Sequence, residues 1–257
     1  MVDSILTTGS QKNLSRIRDW FETPLGERLL QTELAVHEQL LSHMFGYHLL
    51  QVSVQGKSLF DSSPIQNKMS LGLDDNDRAA FIARPTELPL EDGTADVVLV
   101  HHTLDFAESP QEALRELSRV VLPMGYLIIT GFNPFSLWGL WKSLKFGAKS
   151  PPWNGTFIRP GRLMDWMNLL NFKIDRAQFY TYGLPIASLR PDRPDYSQGL
   201  SRKANLPFGA AYVIVARKHL GAMTPIRPVW KQQQAFGRRL SAVRSISRDI
   251  YTPKDQY

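Results

Sequence analysis

The chain has 257 residues, 43% of them hydrophobic, and a formal net charge of +6. This length predicts one sizeable α/β domain with additional segments, and the apolar fraction is sufficient for a packed core. The lack of cysteine excludes disulfide scaffolds, thiolate metal sites and cysteine nucleophiles. Because the sequence has neither a signal-peptide core nor an apolar run of about 20 residues, we expect a cytoplasmic protein.

The positive charge is concentrated in residues 219–257. This segment contains seven lysines and arginines and two aspartates, so it contributes five of the six net positive charges. The part after residue 225 has few large apolar residues and cannot bury enough surface to offset the entropy of ordering. We expect this basic tail either to remain solvated or to bind anionic lipid or RNA through its charge.

The first predicted element is a long helix. Residues 1–22 are mostly polar, and we expect them to form a flexible segment. Thr23 and Pro24 follow as a typical N-cap and first helical residue. Apolar residues then recur at helical spacing as far as Gly46, which predicts one amphipathic helix. We therefore place the domain at 23–218 and the basic tail at 219–257.

Seven short apolar segments predict the strands of one sheet, namely 48–54, 69–73, 79–83, 95–100, 126–132, 172–180 and 211–217. Helices are predicted after Ser109, which begins a capping box, and over 160–170. A strand, a helix and a strand in succession predict a right-handed crossover and a parallel pair. No helix separates the last two strands, which predicts an antiparallel pair at the end of the sheet. The fold class is therefore α/β and doubly wound.

A longer stretch resembles a known family. The matching segments are Leu88–Val98, His102–Phe106, Pro110–Leu114, Glu116–Val121, Gly125–Leu127 and Gly131–Pro134. In residue type and spacing about 45 contiguous residues resemble the type 11 group of class I S-adenosylmethionine (SAM)-dependent methyltransferases. The ending at Gly131–Pro134, with Ser136, Gly139 and Leu140, resembles a group of uncharacterised bacterial methyltransferase-like proteins, to which the chain is similar over residues 20 to 217. The resemblance implies a Rossmann-like sheet of seven strands in the order 3-2-1-4-5-7-6, with the last strand antiparallel and SAM as cofactor.

The resemblance also implies where SAM would bind. The family has a D-x-G-x-G-x-G loop after its first strand, where glycines let the backbone approach the cofactor closely. The corresponding run here is 51–57, and its glycine positions are occupied by Ser53, Gln55 and Lys57, with Gly56 one position away. By resemblance, the methionyl end would lie at Ser53 and Gly56, the ribose at Asp74 and the adenine at Glu87 and Leu88. Asp74 is alternatively a solvated acid in a turn.

Two adjacent histidines end the fourth predicted strand. Ligands of open α/β sheets bind at this carboxyl edge, so His101 or His102 could be a catalytic general base. The alternative is a histidine that hydrogen-bonds a loop carbonyl. Alternation along a strand predicts that the two side chains face opposite sides. We expect no metal site, because no carboxylate or third histidine stands at ligand spacing.

The segment 135–146 combines aromatic and aliphatic residues with lysines. It could belong to the core, cover a substrate, or contact a partner or membrane surface. The leading functional hypothesis is methyl transfer from SAM to an unidentified small-molecule or macromolecular acceptor, which requires no protein nucleophile. The alternatives are a non-catalytic protein that retains the methyltransferase fold, and a peripheral membrane or nucleic-acid-binding protein.

Overall fold

The computed structural model describes residues 8–73, 79–144, 150–185 and 205–219, with side chains from residue 14 onward. Its seven strands are β1 (His48–Ser53), β2 (Asn67–Gly72), β3 (Phe81–Ile82), β4 (Ala95–His101), β5 (Val121–Phe132), β6 (Phe172–Tyr180) and β7 (Ala211–Lys218). They form one sheet in the order β3-β2-β1-β4-β5-β7-β6. This is the order that the family resemblance implies.

The pairing of the strands confirms the α/β prediction. β1 lies between β2 and β4 and is parallel to both, and β4 is also parallel to β5. β7 runs antiparallel between β5 and β6. The side chains of β4 from Val97 to His101 are buried on both faces, as a central parallel strand requires.

Helices cover both faces of the sheet. They are α1 (Thr8–Phe21), α2 (Pro24–Leu41), α3 (Thr103–Phe106), α4 (Pro110–Val120), α5 (Leu137–Leu144) and α6 (Pro160–Leu169). Among the described helices, none combines the length and hydropathy needed to cross a bilayer.

The prediction of a flexible N-terminal segment is wrong for residues 8–22. This stretch forms α1, and its side chains of Leu14, Ile17 and Phe21 are buried in the core. Their spacing of three and four residues places them on one helical face. Three apolar residues in a polar segment are enough to anchor the helix, because they enter a core that already exists.

The predicted N-cap residues of α2 and α4 differ in whether their side chains make the capping hydrogen bond. The Thr23 hydroxyl accepts a hydrogen bond from the Gly26 amide at 3.2 Å, which confirms the N-cap of α2. Ser109 lies at the N-cap of α4, but its side chain makes no capping hydrogen bond. α2 ends at Leu41, five residues before Gly46. Gly46 instead permits close approach to Asp96, whose Cβ would lie 2.4 Å from a Cβ at this position.

The connections between the first strands contain no helix in residues 54–66 and 83–94, all of which the structure describes. The short spacing between the loop after β1 and Asp96 predicts such shortened crossovers. Two buried apolar residues, Leu59 and Ile65, anchor the first of these connections. The predicted ribose residue Asp74 and the basic tail after residue 219 lie outside the described residues.

Candidate functional site

Four side chains from two distant parts of the chain meet at the carboxyl end of β4. They form an acid–histidine cluster of Glu33, His101, His102 and Asp105. His101 Nε2 donates to Glu33 Oε2 at 2.8 Å, and His102 Nε2 donates to Glu33 Oε1 at 2.9 Å. His102 Nδ1 donates to Asp105 Oδ2 at 2.8 Å. None of the four residues is more than 2% exposed, so their charges are balanced by one another rather than by water.

Both imidazoles reach the same carboxylate, so the prediction that they face opposite sides is wrong. The alternation of side chains holds only while the backbone stays extended. His102 has φ +54° and ψ +3°, a left-handed conformation that ends β4 and turns its ring toward Glu33. Such a backbone is strained at a residue with a large side chain and occurs preferentially at ligand-binding and catalytic positions.

Burial and ion pairing together set the charge of each group. Burial opposes ionisation of Glu33, but the imidazoles of His102 and His101 outweigh it and hold its pKa well below the ordinary value. Burial also opposes a charge on His102, yet the carboxylates of Glu33 and Asp105 raise its pKa to about 9. For His101 burial prevails over the attraction of Glu33 and lowers the pKa. At neutral pH, His102 is therefore an imidazolium and His101 is neutral.

Further polar side chains surround the cluster. The Ser53 hydroxyl lies 3.0 Å from His101 Nδ1, and the Tyr180 hydroxyl donates to Glu33 Oε1 at 3.4 Å. His37 Nε2 lies 2.8 Å from the Thr130 hydroxyl, and burial lowers the pKa of His37 to about 3. Among the described contacts, His37 Nδ1 and Asp105 Oδ1 are buried without a hydrogen-bond partner.

α1 packs against the cluster through an aromatic side chain. The ring of Phe21 lies 5.6 Å from that of His101 and 5.8 Å from that of His102, measured between centroids. Arg18 Nε donates to the Val54 carbonyl at 3.1 Å and so joins α1 to the loop after β1. The helix that the sequence predicts to be flexible therefore isolates the two histidines from solvent.

Glu33 and His37 are functional-site residues that were not predicted from the sequence, although the helix pattern contains a signal for them. Both lie on the buried face of α2, between Leu29 and Leu40. They are four residues apart, so they project from neighbouring turns of one face. A carboxylate and an imidazole within an apolar stripe indicate buried polar partners, but the sequence does not show which strand supplies them.

The structure distributes the predicted cofactor residues over two places. Ser53 ends β1 beside His101, and Gly56 is exposed on the loop that follows. Glu87 is exposed, whereas Leu88 is buried and its amide donates to Glu116 Oε1 at 2.8 Å. The structure does not bring these two groups together through any described contact.

The loop after β1 uses its own side chains to satisfy its backbone. The amides of Gln55, Lys57 and Leu59 donate to the side chains of Ser53, Gln55 and Gln51, at 3.2, 3.2 and 2.8 Å. In a glycine-rich loop such amides are available to a ligand. The side chains of Ser53 and Gln55 are also buried, where the family pattern has no side chain at all. In this arrangement the described residues of the loop do not fit the usual cradle for the methionyl group.

Comparisons with known proteins agree with the fold. Residues 60–129 match the model of a family described as "Methyltransferase domain". The uncharacterized protein YafS of Escherichia coli K12 is 30% identical over 210 residues, which cover 80% of this chain and 82% of YafS. The chain belongs to the methyltransferase domain family.

Solved methyltransferase structures show the same fold at lower identity. A SAM-dependent methyltransferase of Thermotoga maritima, described as a possible histamine N-methyltransferase, has a TM-score of 0.61 at 22% identity; the match covers 81% of this chain and 97% of that one. A SAM-dependent methyltransferase of Archaeoglobus fulgidus has a TM-score of 0.55 at 18% identity, with 77% and 98% covered.

Several of the motif residues of this methyltransferase-domain protein have structural roles. Arg119 donates to Glu116, to the Asp92 carboxylate at 2.6 Å and to the Leu88 carbonyl at 3.2 Å. Together with the bond from the Leu88 amide to Glu116, these contacts attach the loop before β4 to α4. The residues that resemble the family motif therefore indicate the fold more directly than they indicate a functional site.

The described part of the amphipathic segment, residues 135–144, divides between core and surface. Trp138 is 1% exposed, and its indole donates to the Gly183 carbonyl at 3.0 Å. By contrast Leu137, Leu140 and Leu144 are 44%, 56% and 69% exposed on the outer face of α5. The Trp138 side of the helix thus belongs to the core. Its outer side is exposed and could cover a substrate or contact a partner or membrane surface.

Proposed function

We propose that this protein is a SAM-dependent methyltransferase whose acceptor is a small molecule or macromolecule of unassigned class. The observation that carries the proposal is the sheet, in which β1 and β4 are adjacent and parallel in the order of the methyltransferase fold. Ligands of open α/β sheets bind at the carboxyl ends of such strands. Membership of the methyltransferase domain family supports the same function. When bound, SAM would supply an electrophilic methyl group.

The histidines do not act as a general base in the arrangement described. Both nitrogens of His102 donate to carboxylates, so the ring has no lone pair for a proton of the acceptor. His101 is neutral, but it is buried and both of its nitrogens have partners. We assign both residues a positioning role, in which they fasten the end of β4 to α2 through Glu33.

A second candidate is a protein that keeps the methyltransferase fold without catalysis. The specific observation in its favour is the loop after β1, whose amides are satisfied by its own side chains. A SAM carboxylate would have to compete with these hydrogen bonds, each of which contributes roughly 0.5–1.5 kcal/mol. A binding or scaffolding protein needs no such rearrangement.

Calorimetric titration of the full chain with SAM separates the two candidates. For a methyltransferase we expect saturable binding, and weaker binding by Asp74→Ala by about 1–3 kcal/mol, the contribution of hydrogen bonds to a charged group. Equal affinity of the variant and the wild type for SAM would show that Asp74 does not contribute to SAM binding. No heat of binding at about 1 mM SAM, a ΔG° weaker than about −4 kcal/mol, would favour the non-catalytic protein.

The loop provides a second, more local test. Gln55→Gly removes the side chain that occupies a glycine position and releases the Lys57 amide. If the loop restricts the cofactor, this variant should bind SAM more tightly than the wild type, by roughly the value of one or two hydrogen bonds. Unchanged affinity would show that the loop does not limit binding.

A further inference from the structure

We propose that Glu33, His101 and His102 form a binding site for one divalent transition-metal ion of the zinc class. The donor atoms of the three residues lie within 4.8 Å of one another, and all three residues are buried. Two imidazole nitrogens and one carboxylate are a frequent ligand set for Zn²⁺ and for other first-row divalent ions. The chain has no cysteine, so any such ion must be held by nitrogen and oxygen.

The direction of the imidazoles supports the site. Each ring points Nε2 at the Glu33 carboxylate and uses Nδ1 for a second contact. His102 Nδ1 is held by Asp105 at 2.8 Å, and His101 Nδ1 by Ser53 at 3.0 Å. Histidines that bind metals usually have their other nitrogen held in this way, by a carboxylate or another oxygen that fixes the ring.

The separations between the donor atoms can be compared with those around a tetrahedral metal ion. Two ligands each about 2.0–2.1 Å from a tetrahedral ion are separated by about 3.3 Å. The Nε2 atoms now lie 2.8 and 2.9 Å from the carboxylate oxygens. Binding one ion therefore lengthens these two N–O separations by roughly 0.5 Å and brings all three donor atoms, which lie within 4.8 Å of one another, to this common spacing.

The buried carboxylates of the cluster also favour a bound cation. Glu33 and Asp105 place two carboxylates in a region that water does not reach. Four polar groups that face the cluster from other elements are uncharged at neutral pH: His37 of α2, Thr130 of β5, Ser53 of β1 and Tyr180 of β6. Lys142 of α5 is a charged neighbour, and its ammonium group acts electrostatically on Asp105. Buried carboxylates are stable only with a positive partner, and a divalent cation at the three donor atoms would be such a partner.

The backbone also fits a ligand site. The left-handed conformation of His102 brings two consecutive imidazoles to one point, which an extended strand cannot do. This strain is understandable if both rings must reach one ion. The three protein ligands leave a fourth position for water or another donor, as in zinc sites with three protein ligands.

The experiment measures metal content and cobalt binding of the full chain. Because the site is buried, the protein is unfolded, freed of metal with a chelator and refolded with Co²⁺ or Zn²⁺ before dialysis. We expect one ion per chain by plasma mass spectrometry and the visible absorption of a four- or five-coordinate Co²⁺ ion. A wild-type chain that folds but retains far less than one ion, or shows only the weak spectrum of octahedral Co²⁺, overturns the proposal.

Variants identify the ligands. Glu33→Gln should lower the affinity for Co²⁺ more than 100-fold, since even loss of a residue behind the ligands costs roughly 10–100-fold. Glu38→Gln, an exposed position of the same helix, is the matched control and should change nothing. Ser53→Ala keeps all three ligands and should lower affinity by about 10-fold, which tests the site even if Glu33→Gln folds poorly. Equal affinity in wild type and Ser53→Ala, or equal loss in both glutamate variants, contradicts the assignment.

Discussion

The buried position of Glu33 gives a prediction for stability. Glu33→Gln preserves the size of the side chain but removes the charge that pairs with both imidazoles. Of the two bonds that Glu33 accepts from histidines, at 2.8 and 2.9 Å, one carries the positive charge of His102. The variant leaves that imidazolium buried with Asp105 as its remaining partner.

The expected loss follows from the cost of breaking a buried ion pair. Removal of one partner typically destabilises a protein by 3–5 kcal/mol, because the other charge stays out of water. Asp105 still pairs with His102, so we expect the lower end, about 3 kcal/mol. For a domain of this size, that corresponds to a decrease in melting temperature of roughly 6–12 °C.

Urea unfolding followed by circular dichroism measures the effect. The measurements are made with a chelator present, so that the free energy of unfolding is that of the metal-free chain. Glu38→Gln makes the same chemical change at an exposed position of α2 and should cost less than about 0.5 kcal/mol. If the two variants unfold at the same urea concentration, the cluster does not stabilise the fold and the argument from burial is refuted.

Three of the following predictions rest on the structure, and the fourth rests on the composition of the basic tail. Burial lowers the pKa of His102 but its carboxylate partners raise it to about 9, so its stabilisation is complete below pH 6.5 and is lost as the pH rises through 9. The metal-free chain should lose up to roughly 3 kcal/mol over this interval, and His102→Gln should abolish that slope in unfolding measurements. Gly26→Ala would place a Cβ 2.2 Å from the Trp20 carbonyl and should cost about 1–3 kcal/mol by thermal melting. Gly161→Ala, with no atom within 4 Å of the new Cβ, should be neutral or slightly stabilising. Deletion of residues 225–257 should leave the melting temperature unchanged and abolish any salt-sensitive co-sedimentation with anionic vesicles or RNA; unfolding of the truncated chain would show that the tail is structural.

The sheet could be predicted from the sequence because β4 and β5 each contain a mostly apolar run. Val97–Val100 and Leu127–Phe132 are buried on both faces, and a helix with a proline at its first position separates them. That order of elements permits little other than a parallel pair with a right-handed crossover. Local pattern and tertiary packing agree here, so the prediction needs no information from distant residues.

The cluster could not be predicted in the same way. Glu33 and His101 are separated by 68 residues, and their contact depends on where α2 crosses the sheet. A search for metal ligands at short spacing therefore excludes the site before the fold is known. The left-handed conformation of His102 is equally hidden, because its neighbours include no glycine or turn residue that would indicate the end of the strand.

α1 shows how a local property can mislead when the partner surface is unknown. Its sequence is polar on average, and composition alone favours a flexible segment. Ile17 and Phe21 are nevertheless buried, and Phe21 packs against the rings of both histidines. A short helix of this kind gains its stability from the surface that it covers rather than from its own propensity. The same contacts close the carboxyl edge of β1 and β4, so ligand access to that edge and the stability of α1 are physically linked: a ligand that enters there must displace Phe21 or bind beside it.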